Sequence, residues 1–221
     1  MNDARQKVST ARCAPPGAGR RTARSRAVSR GPFDVVLIGA SAGGLEVLSH
    51  ILPAVPASFD AAILIVLHLP PGSPSFLVPA LSARCVLPVS EPDAGEPILG
   101  GHVYVAPPDY HILVDNEARV ALSIEAPVRF SRPSIDVLME SAAAVFGPRL
   151  LGVLLSGAND DGARGLAAIR AKGGTAWAQE PGSATAPQMP EAAIVMGVVN
   201  ETMAPGTLAA RLAAWIERSV T

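Results

Sequence analysis

Three short segments of the sequence carry side chains that together could perform nucleophilic catalysis. Ser41 lies within Gly39–Gly43, His68 follows an apolar run, and Asp161 lies within the polar segment Ser156–Gly162. A serine hydroxyl is a poor nucleophile until a base removes its proton. Imidazole can act as that base when a carboxylate fixes its tautomer and offsets the imidazolium charge. These residue types therefore indicate acyl transfer, provided that the fold brings them together.

The segment around Ser41 matches the pattern G-x-S-x-G at Gly39, Ser41 and Gly43. Flanking glycines let a strand turn sharply into a helix with the serine exposed at the turn. Backbone N–H groups at the start of such a helix could also stabilise an oxyanion. The alternative interpretation is a tight strand-to-helix connection with no chemistry.

Each of the other candidates also has a purely structural interpretation. His68 could be a structural residue at a strand end, and Asp161 could be the N-cap of the helix that follows it. Asp160 is as suitable chemically as Asp161, and Ser156 could compete as nucleophile although it lacks flanking glycines on both sides. The two histidines of the middle region are predicted to be turn or strand-edge residues: His102 and His111. Serine, histidine and aspartate at three neighbouring strand ends together favour a triad, whereas none of them does so alone.

The elements that would position these residues follow from the apolar periodicity. Asp34–Ile38 and Ala62–Leu67 are apolar runs typical of buried strands, and helically spaced leucines lie between them until Pro53. Strand, helix and strand in this order predict a βαβ unit with a parallel sheet and a right-handed crossover. Leu150–Leu155 is a further buried strand. Because the carboxyl ends of parallel strands gather at one edge, Ser41 and the other candidates should meet there.

The remaining segments predict more helices and strands around this sheet. Four short runs in the middle of the chain suggest an antiparallel extension: Cys85–Val89, His102–Ala106, His111–Val114 and Arg119–Ile124. Later segments predict a strand and four helices: Thr175–Gln179, then Pro133–Phe146, Gly162–Ala171, Pro190–Met196 and Thr207–Glu217. The expected fold is a single α/β domain over residues 31–221, with a mostly parallel, doubly wound (Rossmann- or flavodoxin-like) sheet and an antiparallel extension.

The charge is distributed unevenly along the 221 residues. Residues 1–30 contain eight Arg and Lys residues against Asp3 alone, a net charge of +7, so the remainder carries −8 within a total of −1. This segment has no hydrophobic periodicity and is predicted to be a disordered basic arm. It is not expected to be a secretory signal, because no apolar stretch follows its charges. The body has no basic aromatic stripe, so no nucleic-acid binding is expected.

Several classes of protein are excluded by what the sequence lacks. The longest clean apolar run, 61–67, is far shorter than the roughly 20 residues of a membrane-spanning helix. Two cysteines make neither a disulfide framework nor a zinc ribbon, so a reducing, cytoplasmic location is expected. A G-x-G-x-x-G dinucleotide motif and an H-E-x-x-H metal motif are both missing, so neither a dinucleotide-binding enzyme nor a metallohydrolase is expected. The order Ser41, His68, Asp161 differs from the Ser–acid–His order of α/β-hydrolases.

Seven segments in one order resemble the catalytic domain of CheB-type protein-glutamate methylesterases. The resemblance covers residues 34–212 and is carried by these segments: Val36–Gly44 (VLIGASAGG), Leu67–Gly72 (LHLPPG), Gly101–Pro107 (GHVYVAP), Arg132–Leu138 (RPSIDVL), Leu155–Gly162 (LSGANDDG), Ala178-Gln179 and Met189–Ala192 (MPEA). It implies hydrolysis of glutamate methyl esters on the cytoplasmic helices of methyl-accepting chemoreceptors, with release of methanol. It also implies deamidation of receptor glutamines in many members, a parallel α/β fold, and no metal or organic cofactor.

The resemblance also implies roles for individual residues. The nucleophile falls on Ser41, the base on His68 and the acid on Asp161, because the N-D-G of the family aligns with Asp160-Asp161-Gly162. The backbone N–H groups of Ala42 and Ala158 would form the oxyanion hole. Here Ala42 replaces a common threonine and Ala158 a methionine, so both donors are retained in the backbone.

Two further expectations concern regulation and substrate recognition. Typical members carry an N-terminal receiver domain, and thirty residues are too few to form one, so activity is expected without phosphorylation. Arg129 and Arg132 are candidates for receptor recognition. Two other functions remain open at this point. One is a non-catalytic module that binds a receptor or signalling partner, and the other is a serine hydrolase of the same fold acting on another ester or amide.

Overall fold

A computed structural model describes residues 33–70, 72 and 76–214 of the chain. The basic arm predicted for residues 1–30 lies outside the described residues, so it stays a prediction. The helix predicted over Thr207–Glu217 also extends beyond them at its carboxyl end. No helix in the described part has the length and apolar character needed to cross a membrane.

Seven parallel strands form one sheet, and two more form a small antiparallel sheet. The seven strands are β1 (Val35–Ala40), β2 (Ala62–Leu67), β3 (Val89–Ser90), β4 (Val103–Val105), β7 (Leu150–Leu154), β8 (Thr175–Gln179) and β9 (Glu201–Met203). Their order is β3-β4-β2-β1-β7-β8-β9, and every pair is parallel. The antiparallel pair is β5 (His111–Val114) with β6 (Val120–Ser123). The predicted α/β class is therefore confirmed.

The expected antiparallel extension is confirmed for β5 and β6, but the prediction that the two earlier runs belong to it was wrong. Only β5 and β6 are antiparallel, whereas β3 and β4 are parallel edge strands of the main sheet. Most of Cys85–Val89 is not a strand, because the regular backbone begins only at Val89. Short strands between Pro/Gly turns have no local feature that separates the two pairings. The parallel pairing is set by the hydrogen bonds that β4 forms with the buried strand β2.

Helices cover both faces of the sheet. On one face lie α1 (Gly44–Ile51), α2 (Leu77–Ser82) and α6 (Pro205–Ala213), whose apolar residues join one buried cluster. On the other lie α3 (Ile135–Phe146), α4 (Ala163–Ala171) and α5 (Gln188–Val195), together with β5 and β6. Sequence periodicity missed α2, which contains a proline, and β9, whose three residues include two exposed polar side chains. Both lie at the periphery of the fold.

The strand order reverses at β1. The chain runs from β1 to β2 on one side and later resumes at β7 on the other side. In open parallel sheets, the crevice at the carboxyl ends of strands on either side of such a reversal is the usual ligand site. Ser41 follows β1, His68 follows β2, and the segment 155–162 follows β7. The topology therefore brings all three candidate segments to one crevice.

Candidate active site

A hydrogen-bonded turn holds Ser41 at the end of β1. Its backbone N–H donates to the Ser156 carbonyl at 2.9 Å, which ties the turn to the chain leaving β7. Gly43 has φ 78°, a left-handed conformation that suits glycine, and a Cβ there would lie 2.5 Å from the Thr185 Cβ. A Cβ at Gly157 would lie 3.0 Å from the Ser41 Cβ. Both glycines thus make room for the serine turn.

His68 and Asp161 form a direct side-chain pair. The His68 Nε2–H donates to Asp161 Oδ2 at 2.9 Å, across 93 positions of sequence. The side chains are 9% and 0% exposed, so solvent screens this contact weakly. The His68 backbone N–H donates to the Ala40 carbonyl at 3.0 Å, which places the histidine beside the residue preceding Ser41. The structure therefore brings the imidazole and the carboxylate into direct contact.

Asp161 lies at the N-terminus of α3 and does not cap its own helix α4. Besides the His68 bond, its carboxylate accepts hydrogen bonds from Ser134 Oγ at 3.0 Å, Ile135 N at 2.7 Å and Asp136 N at 3.0 Å. Burial raises the pKa of Asp161. The hydrogen bonds from His68 and from the Asp136 and Ile135 amides act in the opposite sense and hold the pKa below its ordinary value. The carboxylate is thus kept ionised, as an orienting acid requires.

The nitrogen of His68 that remains for chemistry is Nδ1. Because Nε2 donates to the carboxylate, Nδ1 is the unprotonated acceptor in a neutral ring. The Ser131 hydroxyl lies 3.3 Å from Nδ1. Among the described residues, no hydrogen bond joins the Ser41 hydroxyl to His68. The structure therefore brings His68 and Asp161 into contact and leaves Ser41 at the adjacent strand end, with Ser131 beside the basic nitrogen.

Two backbone N–H groups near Ser41 remain available. Within the described residues, the amides of Ala42 and Ala158 donate to no protein acceptor. Ala42 follows the serine directly, and Ala158 follows Gly157, which abuts the serine side chain. Free N–H groups on both sides of a nucleophile are what an oxyanion site needs.

The alternatives raised by the sequence are engaged in other contacts. Asp160 forms an ion pair with Arg129 and is half exposed. Ser156 is fully buried, where its Oγ donates to the Ala42 carbonyl at 2.7 Å and accepts from Ala186 N at 2.9 Å. Arg132 donates through Nη1 to the carbonyls of residues 124 and 125. Both arginines proposed for receptor recognition therefore bind the protein itself.

Another serine–histidine hydrogen bond lies at one edge of the main sheet. Ser90 Oγ and His102 Nε2 are 2.8 Å apart near the edge strand β3, and the His102 ring stacks on Tyr104. In the described structure no carboxylate accepts a hydrogen bond from His102. The pair lacks the acid that would orient its imidazole.

Sequence reasoning missed the residues that hold the acid in place. Asp136 is buried and accepts from Gly162 N at 2.9 Å, Gly165 N at 2.7 Å and Arg164 Nε at 3.1 Å. It thereby holds the start of α4 against α3. Ser134 followed by Asp136 is a typical N-cap and first-turn acid, so the sequence could have predicted a helix start here. No local signal connects these residues to the segment 159–161.

Other kinds of site receive little support from the described residues. No group of three or more His, Cys, Asp or Glu side chains among them could hold a metal ion. An open groove of about 610 Å³ is lined by residues including Glu46, His50 and Arg84. None of Ser41, His68 and Asp161 lines it, so it is separate from the candidate active site.

Comparisons with known proteins identify the family of the chain. The family model described as CheB methylesterase matches residues 36–212. A putative protein-glutamate methylesterase/protein-glutamine glutaminase of Leptospira interrogans is 43% identical over 162 residues, which are 73% of this chain and 84% of that protein. The protein-glutamate methylesterase FrzG of Myxococcus xanthus is 37% identical over 186 residues, 84% of this chain and 56% of that protein.

A solved structure matches as well. The CheB methylesterase catalytic domain of Thermotoga maritima has a TM-score of 0.78 and 29% identity, and the match covers 82% of this chain and 97% of that domain. The chain spans about half the length of several curated relatives, such as a 40% identical methylesterase/glutaminase of Symbiobacterium thermophilum of which 48% is covered. The extent of these matches and the shared fold show that the chain belongs to the CheB methylesterase family.

Proposed function

We propose that this chain is a protein-glutamate methylesterase that removes methyl groups from chemoreceptor glutamates in chemosensory signalling. Ser41 is the nucleophile, His68 the general base and acid, and Asp161 the group that orients His68. The backbone N–H groups of Ala42 and Ala158 receive the oxyanion. The observation that carries the proposal is the buried His68–Asp161 hydrogen bond of 2.9 Å beside the serine turn. Family membership supports the reaction class.

The reaction follows from the orientation of the His68 ring. Ser41 Oγ attacks the ester carbonyl carbon while its proton passes to His68 Nδ1, and Asp161 offsets the imidazolium charge. Collapse of the tetrahedral intermediate breaks the C–O bond, and the same proton leaves with methoxide as methanol. A water molecule then gives a proton to His68 and attacks the glutamyl ester of Ser41, so glutamate is released and Ser41 is restored. The Nδ1 contact with Ser131 must give way to Ser41 for the first step.

A direct experiment separates catalysis from binding. Purified protein is incubated with a fluorophosphonate probe and, separately, with methyl-esterified receptor while methanol is measured. Ser41→Ala should abolish labelling and reduce methanol release by several orders of magnitude. The matched control is Ser90→Ala, because Ser90 also bonds a histidine but lacks an acid, and it should leave both signals unchanged. Methanol release at the parental rate by Ser41→Ala would refute the mechanism, and an unlabelled parent would favour a binding module.

Receptor contact is proposed for the turn at residues 128–131. Val128 N donates to the Ser131 carbonyl at 3.1 Å and Ser131 N to the Val128 carbonyl at 2.9 Å, which closes the turn. Phe130 lies at its tip with a relative exposure of 102%, next to the serine that contacts His68. An exposed aromatic side chain at this place can pack against an amphipathic receptor helix. Phe130→Ala should raise KM for receptor without changing the rate of probe labelling. A parental KM would remove the turn from the interface.

Glutaminase activity and a cytoplasmic location complete the proposal. Attack of the same serine on a glutamine side chain would release ammonia instead of methanol, and relatives carry both activities in their names. The receptor segments that carry methylated glutamates face the cytoplasm, so this enzyme is proposed to act there. Ammonia release from unmodified receptor that disappears in Ser41→Ala would support the second activity, and release that persists would contradict it.

A further inference from the structure

The N-terminus of α3 is closed by two residues from distant parts of the chain. Four N–H groups at a helix start have no partner within the helix. Here the amides of Ile135 and Asp136 donate to Asp161, and that of Val137 donates to Ser134 Oγ at 3.5 Å. The amide of the N-cap residue Ser134 itself donates to His111 Nδ1 at 3.1 Å. The first amides of α3 thus bind Asp161, and His111 accepts the hydrogen bond of the N-cap residue at the same helix start.

His111 accepts a hydrogen bond that a residue of the same helix usually accepts. In a capping box, the side chain three residues after the N-cap accepts the N–H of the N-cap residue. That position in α3 is Val137, whose side chain has no hydrogen-bond acceptor. His111, from the first position of β5, supplies the acceptor across 23 positions of sequence. His111 is 2% exposed, so water does not compete for the bond.

The contacts of His111 fix its protonation. An amide N–H can only donate, so Nδ1 must be an unprotonated acceptor. A carbonyl oxygen can only accept, so Nε2, 3.2 Å from the Ala126 carbonyl, must carry the proton. The ring is therefore the neutral Nε2–H tautomer. A path of hydrogen bonds then runs from His111 to the Ser134 backbone, from the Ser134 hydroxyl to Asp161 Oδ1, and from Asp161 Oδ2 to His68.

We propose that His111 is a positioning residue for the esterase: it holds Ser134, and through Ser134 it holds the carboxylate of Asp161 against His68. This inference rests on the proposed function, since it assigns His111 to the same site. Among the described residues, no hydrogen bond joins His111 to His68 or to Asp161, so the proposed action passes through the helix start. A displacement of a supporting group by about 1 Å can lower a rate by about 100-fold.

Two substitutions separate the acceptor at Nδ1 from the donor at Nε2. His111→Asn places an amide oxygen near the position of Nδ1 and keeps the acceptor for the Ser134 N–H. His111→Gln places its amide near Nε2, keeps the donor toward the Ala126 carbonyl, and loses the acceptor. We expect His111→Asn to keep kcat within about threefold of the parent and His111→Gln to lower it by about 10- to 100-fold. KM for receptor should be unchanged in both.

A double-mutant cycle distinguishes positioning from general destabilisation. If His111 acts through Asp161, His111→Gln should cause no further loss of kcat in an Asp161→Asn background, whereas independent damage would multiply. Equal kcat in His111→Asn and His111→Gln, or full additivity with Asp161→Asn, would overturn the inference. An unlabelled and inactive parent would instead refute the proposed function.

The tautomer gives a test that needs no variant. Nitrogen NMR of the ¹⁵N-histidine-labelled parent protein at neutral pH should show His111 protonated at Nε2 and unprotonated at Nδ1. His111→Gln serves to assign the resonance, and His111→Asn does so if the former does not fold. Observation of the Nδ1–H tautomer would contradict the bond to Ser134, and with it the inference, whether or not the protein is an esterase.

Discussion

Replacement of Asp161 by asparagine tests the proposed chemistry with almost no change in shape. The carboxylate accepts four hydrogen bonds: Oδ1 from Ser134 and Asp136, and Oδ2 from His68 and Ile135. An asparagine amide has one accepting oxygen, so whichever way it is placed its NH₂ group faces two donors. Two hydrogen bonds to a charged group are lost, each worth about 1.5–3 kcal/mol. The free energy of unfolding at pH 7 should therefore fall by about 3–6 kcal/mol.

The effect on activity depends on the orientation of that amide. If its NH₂ group faces His68, the imidazole must accept at Nε2 and carry its proton at Nδ1, where it can no longer act as the base. The same change in other Ser-His-Asp enzymes lowers kcat by about 10⁴-fold. That factor corresponds to about 5.4 kcal/mol of transition-state free energy. We expect a loss of this order for Asp161→Asn.

The assay measures methanol release from methyl-esterified receptor, together with urea unfolding at pH 7. Asp160→Asn is the matched control, because Asp160 is the adjacent residue, is half exposed and forms an ion pair with Arg129. It should keep kcat within about threefold and stability within about 1 kcal/mol, as is typical of an exposed ion pair. The proposed role of Asp161 is refuted if folded Asp161→Asn keeps kcat within tenfold of the parent, or if Asp160→Asn shows the larger loss.

Three further outcomes follow from individual contacts. Because the pKa of Asp161 is lowered in the folded state, its stabilising contribution is present above the ordinary carboxyl pKa of about 3.9 and is lost as pH falls through the folded value. Urea unfolding at pH 7, 5 and 3 should therefore show that the difference in free energy of unfolding between parent and Asp161→Asn becomes smaller in acid. A difference that stays constant with pH would contradict this. Ser131→Ala should not lower probe labelling more than threefold, because it removes a competitor for His68 Nδ1, and a 100-fold loss would mark Ser131 as necessary. Gly157→Ala should lower kcat and cost about 1–3 kcal/mol, since its Cβ would lie within 2.4 Å of a methionine methyl group and 3.0 Å of the Ser41 Cβ. Gly206→Ala, which has open space in the first turn of α6, is the stability control and should gain about 0.4–1 kcal/mol by urea unfolding.

The sequence by itself determined the class of fold and the edge of the sheet at which chemistry could occur. Apolar runs such as 62–67 can be buried on both faces, and the βαβ order requires parallel strands whose carboxyl ends lie together. Ser41 and His68 follow two such strands directly, so their proximity needed no knowledge of packing. Residue roles in the catalytic step stay a proposal that the experiments above test.

The tertiary structure decided which partners each polar group takes. Asp160 and Asp161 are chemically equal neighbours, yet one pairs with an exposed arginine and the other is buried at the start of α3. Likewise, β3 and β4 joined the parallel sheet, and His111 closed a helix that begins 24 residues later. The spacing of apolar residues indicates only which residues of one helix or strand lie on the same face of that element. Hydrogen bonds that span 23 or 93 positions depend on how whole elements pack, because packing alone sets which buried donors and acceptors meet.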